Sequence, residues 1–236
     1  MSKMKLFCIP HAGGSATVYN RWQKVISTDV ELIPVELAGR GSRMNEDFYA
    51  NFQDAVHDLY TFIETQIDHQ SYAILGHSIG SLLAFEITQE LQSNRKALPK
   101  FIVLSGRRPP DITIEEGFSN LLGMNDEDFL RHLSRTDGIP IGLEKSRIIS
   151  EFLPIIKADL NLVQYYVFNQ RLPRLDVPFL VLYGKEDVLA TSDVVCGWEK
   201  FTSKSCERYA FSGKHFFLHQ HSKDIALLLM EKFKTE

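Results

Sequence analysis

The 236 residues, about 27 kDa, suffice for one large domain with a sizeable core, which excludes a mini-protein stapled by disulfides. Hydrophobic residues make up 44% and charged residues 24%, ordinary globular usage that excludes intrinsic disorder and fibrous repeats. The formal net charge is −4 and the pI near 6.1, so the molecule as a whole is not drawn to nucleic acid or to an anionic membrane, and an acidic partner would need a local basic patch.

Cys8, Cys196 and Cys206 cannot all pair and form no CxxC, so neither a disulfide framework nor a metal site is expected. A reducing cytoplasm fits this usage. The first apolar stretch, Leu6 to Ile9, stops at Pro10, too short for a secretory core or a membrane span. No long self-similar period runs through the chain.

Short apolar runs bounded by turn residues predict strands at Leu6 to Ile9, Glu31 to Val35, Tyr72 to Leu75, Phe101 to Leu104, Phe179 to Tyr183 and Arg208 to Phe211. Between the second and third, Phe48, Phe52, Val56, Leu59 and Ile63 recur at the spacing of one helix face. Strand and helix therefore alternate, which predicts an α/β fold with a mostly parallel sheet covered by helices on both faces. From Gly106 to Val177 no strand is expected and helical patterns dominate. Asn125 caps a helix through Phe129, Leu130 and Leu133, ended by Thr136 to Pro140. Pro154 suits the first turn of the next helix, which presents Ile155, Ile156, Leu160, Leu162, Val163, Tyr166 and Val167. A connection this long and apolar reads as a lid over a hydrophobic site, at about residues 110–170 of a single domain spanning 1–236.

Gly76-His77-Ser78-Ile79-Gly80 stands between the third strand and an apolar-periodic stretch, Leu82 to Leu91. The bare GxSxG string arises by chance in about one chain in fifteen of this length. The strand, sharp turn, helix context is what makes Ser78 a candidate nucleophile, with glycines where a strained turn leaves no room for side chains. A serine hydroxyl needs a base and an orienting acid, here in the order Ser, Asp or Glu, His. Of eight histidines, His215 follows the last strand on a glycine-bearing loop, with His219 and His221 as competitors, while His77 is expected to pack within the turn. Asp187 follows the fifth strand in Gly184-Lys185-Glu186-Asp187; Glu186, Asp193 and, after the fourth strand, Asp111 are the alternatives. For the oxyanion, the backbone N–H of Ile79 and that of Ala12, in Pro10-His11-Ala12-Gly13-Gly14, are the candidate donors. That loop lacks the GK[ST] ending and the GxGxxG spacing of a phosphate cradle.

With these residues in place the chain resembles the α/β-hydrolases, and among them the type II thioesterases of polyketide and nonribosomal peptide synthesis. The resemblance spans nearly the whole length. It rests on Ile9 to Gly14, Glu36-Leu37-Ala38-Gly39-Arg40-Gly41, Gly76 to Gly80, Ser105-Gly106-Arg107-Arg108-Pro109-Pro110, Leu153-Pro154 with Ala158-Asp159-Leu160, and Gly184 to Asp187. His11 departs from an aromatic residue common at its position, and Lys214 from a frequent glycine. The resemblance implies a helical lid, a triad of Ser78, Asp187 and His215, and hydrolysis of acyl groups from the phosphopantetheine thiol of acyl- or peptidyl-carrier proteins. It implies no cofactor beyond the phosphopantetheine that the substrate carries, and a free-standing enzyme, expected to be monomeric.

Carrier proteins are generally acidic, so docking onto a net-negative chain requires local positive charge. Arg107, Arg108 and Lys214 lie on loops at the carboxyl edge of the sheet and are the candidate carrier or pantetheine docking residues, with Arg40 and Arg43 as a second cluster. A carboxylesterase or lipase would share every catalytic residue, and a silent hydrolase fold that only binds would keep the same frame.

Overall fold

The computed structural model describes residues 3–67, 70–112, 121–135, 139 and 149–234. Six strands, β1 (Met4–Ile9), β2 (Val30–Pro34), β3 (Tyr72–His77), β4 (Phe101–Ser105), β5 (Phe179–Gly184) and β6 (Cys206–Phe211), form one sheet in the order β2-β1-β3-β4-β5-β6. Every neighbouring pair is parallel. Each predicted strand is present, with ends moved by a residue or two.

Period-two alternation sends successive side chains to opposite faces, and here both faces are buried. Phe7, Ile9, Ile74, Ile102, Leu104, Phe179 and Val181 belong to one core, with Leu82 and Phe85 of α2 (Ile79–Ser93) and Val56, Leu59 and Ile63 of α1 (Phe52–Gln66). Leu6, Cys8, Ala73, Leu75, Phe101, Val103, Leu180 and Leu182 belong to the other, with Tyr19 and Trp22 from a 3₁₀ segment. Both faces being covered is why the four inner strands β1, β3, β4 and β5 read as near-continuous apolar runs, while the edge strands β2 and β6 carry charged residues and are only partly buried.

Helix α1 begins at Phe52, where Asn51 Oδ1 accepts the Asp54 N–H at 2.9 Å. Phe48, expected on its inner face, lies before the helix and is exposed, because the Asn51 cap starts the helix later than the apolar spacing suggests.

Between β4 and β5 the described residues form no named strand. Helix α3 (Asp126–Arg135) is capped by Asn125, which accepts the Asp128 N–H, and α4 runs over Ile149–Gln164. The expected stop at 136–140 lies outside the described residues apart from Ile139. Pro154 sits inside α4 rather than in its first turn, and Tyr166 and Val167 follow the helix. Proline in that position removes one N–H from the helix ladder, which the packing of Leu153 and Ile156 on either side offsets. Leu121, Phe129, Leu133, Ile139, Ile149, Leu153 and Ile156 make a small core of their own, whereas Leu162 and Val163, further along α4, join the main core. The insert thus has one end built into the domain and the other built on itself. The chain closes with α5 (Ser192–Val195), α6 (Phe217–Gln220) and α7 (Ser222–Lys234).

Candidate active site

The carboxyl edge of a parallel sheet gathers the loops that follow its strands. His77 pairs in register with Ser105 and Gly184 with Phe211, so the loops after β3, β4, β5 and β6 lie side by side. Ser78 leaves β3 with φ 57° and ψ −118°, a conformation that L-residues rarely adopt. The turn is this tight because β3 and α2 almost touch: a Cβ on Gly76 would strike the Gly80 backbone, and one on Gly80 the Ile9 and Pro10 carbonyls. The strain is held by bonds on both sides. Ser78 N–H donates to the Ser105 carbonyl at 2.8 Å, and buried Ser81 donates its hydroxyl to the Gly76 and Ser105 carbonyls while accepting the Ser105 N–H.

His215 Nδ1 donates to Asp187 Oδ2 at 2.9 Å, with both side chains buried. Asp187 Oδ1 accepts the Leu189 N–H at 2.8 Å, so both carboxylate oxygens are fixed. The competing residues go elsewhere. His219 stacks on Phe216, and His221 bonds to Ser212 and faces Asp224. Glu186 accepts the Gly213 N–H, Asp193 lies in the first turn of α5, and Asp111 faces Lys200. His77 stays within the turn, sharing a hydrogen bond with Ser105 Oγ at 3.0 Å.

Ala12 and Ile79 line the same cleft as Ser78 and His215. Ile79 opens α2, whose first N–H groups have no intrahelical acceptor. The Ala12 loop is held from the insert: Gly13, at φ 75°, donates its N–H to Asp159 Oδ2 of α4 at 2.8 Å. Arg40 grips the same carboxylate at 2.5 and 2.6 Å and also donates to the Gly14 carbonyl. Arg40 and Arg43, the second candidate docking cluster, are engaged in structural pairs: the first is buried against Asp159 and the second is bonded to Glu46 and Asp58.

His11, His77, His215, His219 and Phe216 form a cluster of rings around this loop. Burial pushes the His11 pKa down from 6.5 to about 3, so the ring is neutral near pH 7 and donates Nδ1–H to the Ala12 carbonyl. Burial likewise lowers His77 and His219. Unfolded, His11 takes up a proton as pH falls through 6.5, while the folded protein resists until about 3. The unfolded state then holds more protons, so this stability is complete above pH 6.5 and drains away as pH falls through that window. His11→Phe keeps an aromatic ring against Phe216 and is expected to flatten the acid limb of urea-unfolding stability by up to about 1.4 kcal/mol per pH unit. An unchanged slope between pH 6 and pH 4 would refute the role of His11 in that limb.

The insert supplies Leu133, Leu160 and Val163 to the cleft wall, and the loop after β4 supplies Arg107 and Arg108. Arg108 donates to the Leu189 carbonyl, beside the Asp187 loop. Arg107 stands in the cleft wall and its Nε is buried. Among the described residues no group of His, Cys, Asp and Glu could hold a metal ion.

Sequence reasoning missed the bracing by Ser81 and Ser105 and the grip of Asp159 on the Ala12 loop. The signal for Asp159 was an acid at a buried position of an apolar helix. For Ser81 there was none, since a hydroxyl in the first turn of a helix is commonplace.

Comparison with known proteins agrees with this geometry. A family model described as Thioesterase domain matches residues 4–232. The gramicidin S biosynthesis protein GrsT of Aneurinibacillus migulanus is 28% identical over 99% of this chain and 90% of its own length. Among solved structures, ClbQ from the colibactin NRPS/PKS pathway superposes with a TM-score of 0.92 at 32% identity, covering 99% of this chain and 98% of that one. The RedJ thioesterase of the prodiginine pathway in Streptomyces coelicolor gives 0.89 at 26% identity, covering 98% and 86%. A parallel sheet of this strand order with a serine at the sharp turn after β3 is the α/β-hydrolase fold, and with the match running from β1 to the last helix, the chain belongs to the thioesterase family.

Proposed function

We propose that this chain is a free-standing editing thioesterase that removes acyl or aminoacyl groups from the phosphopantetheine thiol of carrier proteins in polyketide or nonribosomal peptide synthesis. The observation that carries the reading is one cleft lined by a strained serine, a buried histidine bonded to an oriented aspartate, and two backbone segments with N–H groups to offer. Likeness over the full length to ClbQ and RedJ supports the substrate class.

In this mechanism Ser78 Oγ attacks the thioester carbonyl as His215 takes its proton. Asp187 holds the imidazole and balances its positive charge. The carbonyl oxygen gains negative charge against the Ala12 and Ile79 N–H groups. The C–S bond then breaks and the thiol departs, leaving an acyl-serine. Water, giving its proton to His215, attacks that ester and releases the acid and Ser78. A thiol of pKa about 8.5 leaves readily. The chemistry uses the chain's own side chains and needs no cofactor.

The helical insert serves as the lid, with Leu133, Leu160 and Val163 against the acyl chain. Of the docking candidates Arg107, Arg108 and Lys214, the last two suit an acidic carrier, whereas Arg107 has its Nε buried in the cleft wall. The protein works as a monomer of one domain in the cytoplasm; among the described residues no helix is long and apolar enough to cross a membrane.

The test is intact-protein mass spectrometry of an acyl-loaded carrier protein, with p-nitrophenyl ester cleavage followed alongside. Loss of the acyl mass with the holo arm retained, faster than ester cleavage, is expected. A carrier that stays loaded while the ester is cleaved makes the protein a general esterase. If neither reacts, the fold only binds.

A further inference from the structure

Most of the cleft is lined by apolar side chains, by the catalytic residues and by Arg108, whose guanidinium bonds to the Leu189 carbonyl. Arg107 is the exception. Its peptide carbonyl accepts the Trp198 indole N–H at 2.8 Å, which anchors the backbone, yet among the described residues its guanidinium has no hydrogen bond and no ion pair. Arg108, its neighbour, is by contrast bonded to the Leu189 carbonyl. The charged group nearest in sequence is thus another cation. Tyr166, the phenol that influences Arg107, already gives its proton to Glu86.

A half-buried cation whose Nε is cut off from water and has no acceptor is costly unless something that binds the protein completes it. Burial and the Arg108 charge push Arg107 down to about 10, so it still carries its proton at neutral pH. Its position is close to the chemistry. A Cβ at Gly106, one residue earlier, would lie 3.3 Å from the His215 ring, so Arg107 springs from the wall directly beside the reacting carbonyl. A carrier surface cannot follow the pantetheine arm down to a buried Nε. The partner that best fits a position beside the reacting carbonyl is a group on the acyl chain.

We propose that Arg107 selects acyl groups bearing an acceptor oxygen, keto or carboxylate, on the carbons next to the thioester carbonyl; this deepens the thioesterase reading and rests on it. The planar guanidinium donates its N–H pair to that oxygen, a geometry that lysine cannot reproduce. A plain alkyl chain in the same cleft leaves the guanidinium unpartnered in a site it has just desolvated. Sites that hydrogen-bond a substrate group discriminate far more strongly against analogues lacking it than apolar pockets do against a missing methylene.

The test compares butyryl-, 3-oxobutyryl- and malonyl-pantetheine thioesters with wild type, Arg107→Met and Arg107→Lys. Dividing each variant's kcat/KM by the wild-type value for the same substrate cancels intrinsic reactivity. The expected result is that Arg107→Met loses at least about tenfold more on one of the oxygen-bearing groups than on butyryl, with Arg107→Lys between the two. A selective loss on malonyl assigns the acceptor as a carboxylate, and one on 3-oxobutyryl as a keto oxygen. Equal losses on all three overturn the proposal, because they place Arg107 on the pantetheine or in the fold. If Arg107→Met does not fold, Arg107→Gln is read in the same way. Wild type inactive on every thioester refutes the thioesterase reading itself and this proposal with it, whereas active wild type with equal losses refutes only the latter.

Discussion

Ser78→Ala is expected to lower kcat for a carrier-bound acyl thioester by about 10⁴- to 10⁶-fold while leaving KM within a few-fold. The size follows from what the hydroxyl does. Without Oγ there is no acyl-serine, and His215, Asp187 and the backbone N–H groups retain only what they can do for direct attack by water. Folding should survive, because the bonds that hold the turn come from the Ser78 N–H, Ser81 and Ser105 rather than from Oγ. The same position permits a second reading of the strain. At φ 57° and ψ −118° a side chain is unfavourable, so Ser78→Gly should raise stability by about 1 kcal/mol even as it abolishes turnover. Stopped-flow hydrolysis and urea unfolding on both variants check the pair of statements. A loss of less than tenfold in Ser78→Ala would remove Ser78 from the mechanism.

The Arg40–Asp159 pair carries the second large effect. Both side chains are almost wholly buried, at 2% and 1% exposure, and Asp159 also accepts the Gly13 N–H. In Asp159→Asn the shape is kept and the charge removed, leaving Arg40 buried without a counter-ion. The expected loss is about 3–5 kcal/mol of unfolding free energy. Catalysis should fall with it, through kcat rather than KM, because the one remaining amide oxygen cannot serve both Gly13 and Arg40 as the carboxylate does, which loosens Ala12 against the developing oxyanion. The double variant Arg40→Met/Asp159→Leu removes both charges and is expected to regain most of the stability. It should not regain kcat, since Gly13 then has no acceptor at all. A loss below about 1 kcal/mol in Asp159→Asn would mean that the pair does not hold α4 to the loop.

That pair also gives the lid a physical meaning. Asp159 stands on α4, and Ile156, one turn earlier, occupies the space where a Cβ on Gly13 would be. The helix that lines the cleft is therefore bolted to the loop that carries Ala12.

The amino-acid pattern alone determined the architecture and the turn chemistry of this protein. Largely apolar runs of four or five residues named all six strands, since side-chain alternation and turn residues are local properties that any short window carries. Gly76 and Gly80 marked the sharp turn for the same reason: the close approach that excludes a side chain occurs within five residues. Local pattern was less exact where a cap or a neighbour intervened, as at Phe48, cut off by the Asn51 cap, and at Pro154, held inside α4 by its flanking contacts. Tertiary structure decided everything that depends on which loops meet. Three histidines within seven residues were equivalent as a string, and only the register of β5 with β6 brings His215, rather than His219 or His221, to Asp187. Arg40 and Asp159 lie 119 residues apart, and Arg107 and Arg108 both line the cleft but only the second has a carbonyl for its guanidinium. Charge pairing at such separations is not written in spacing or composition; it exists only once the sheet has set its carboxyl-edge loops side by side.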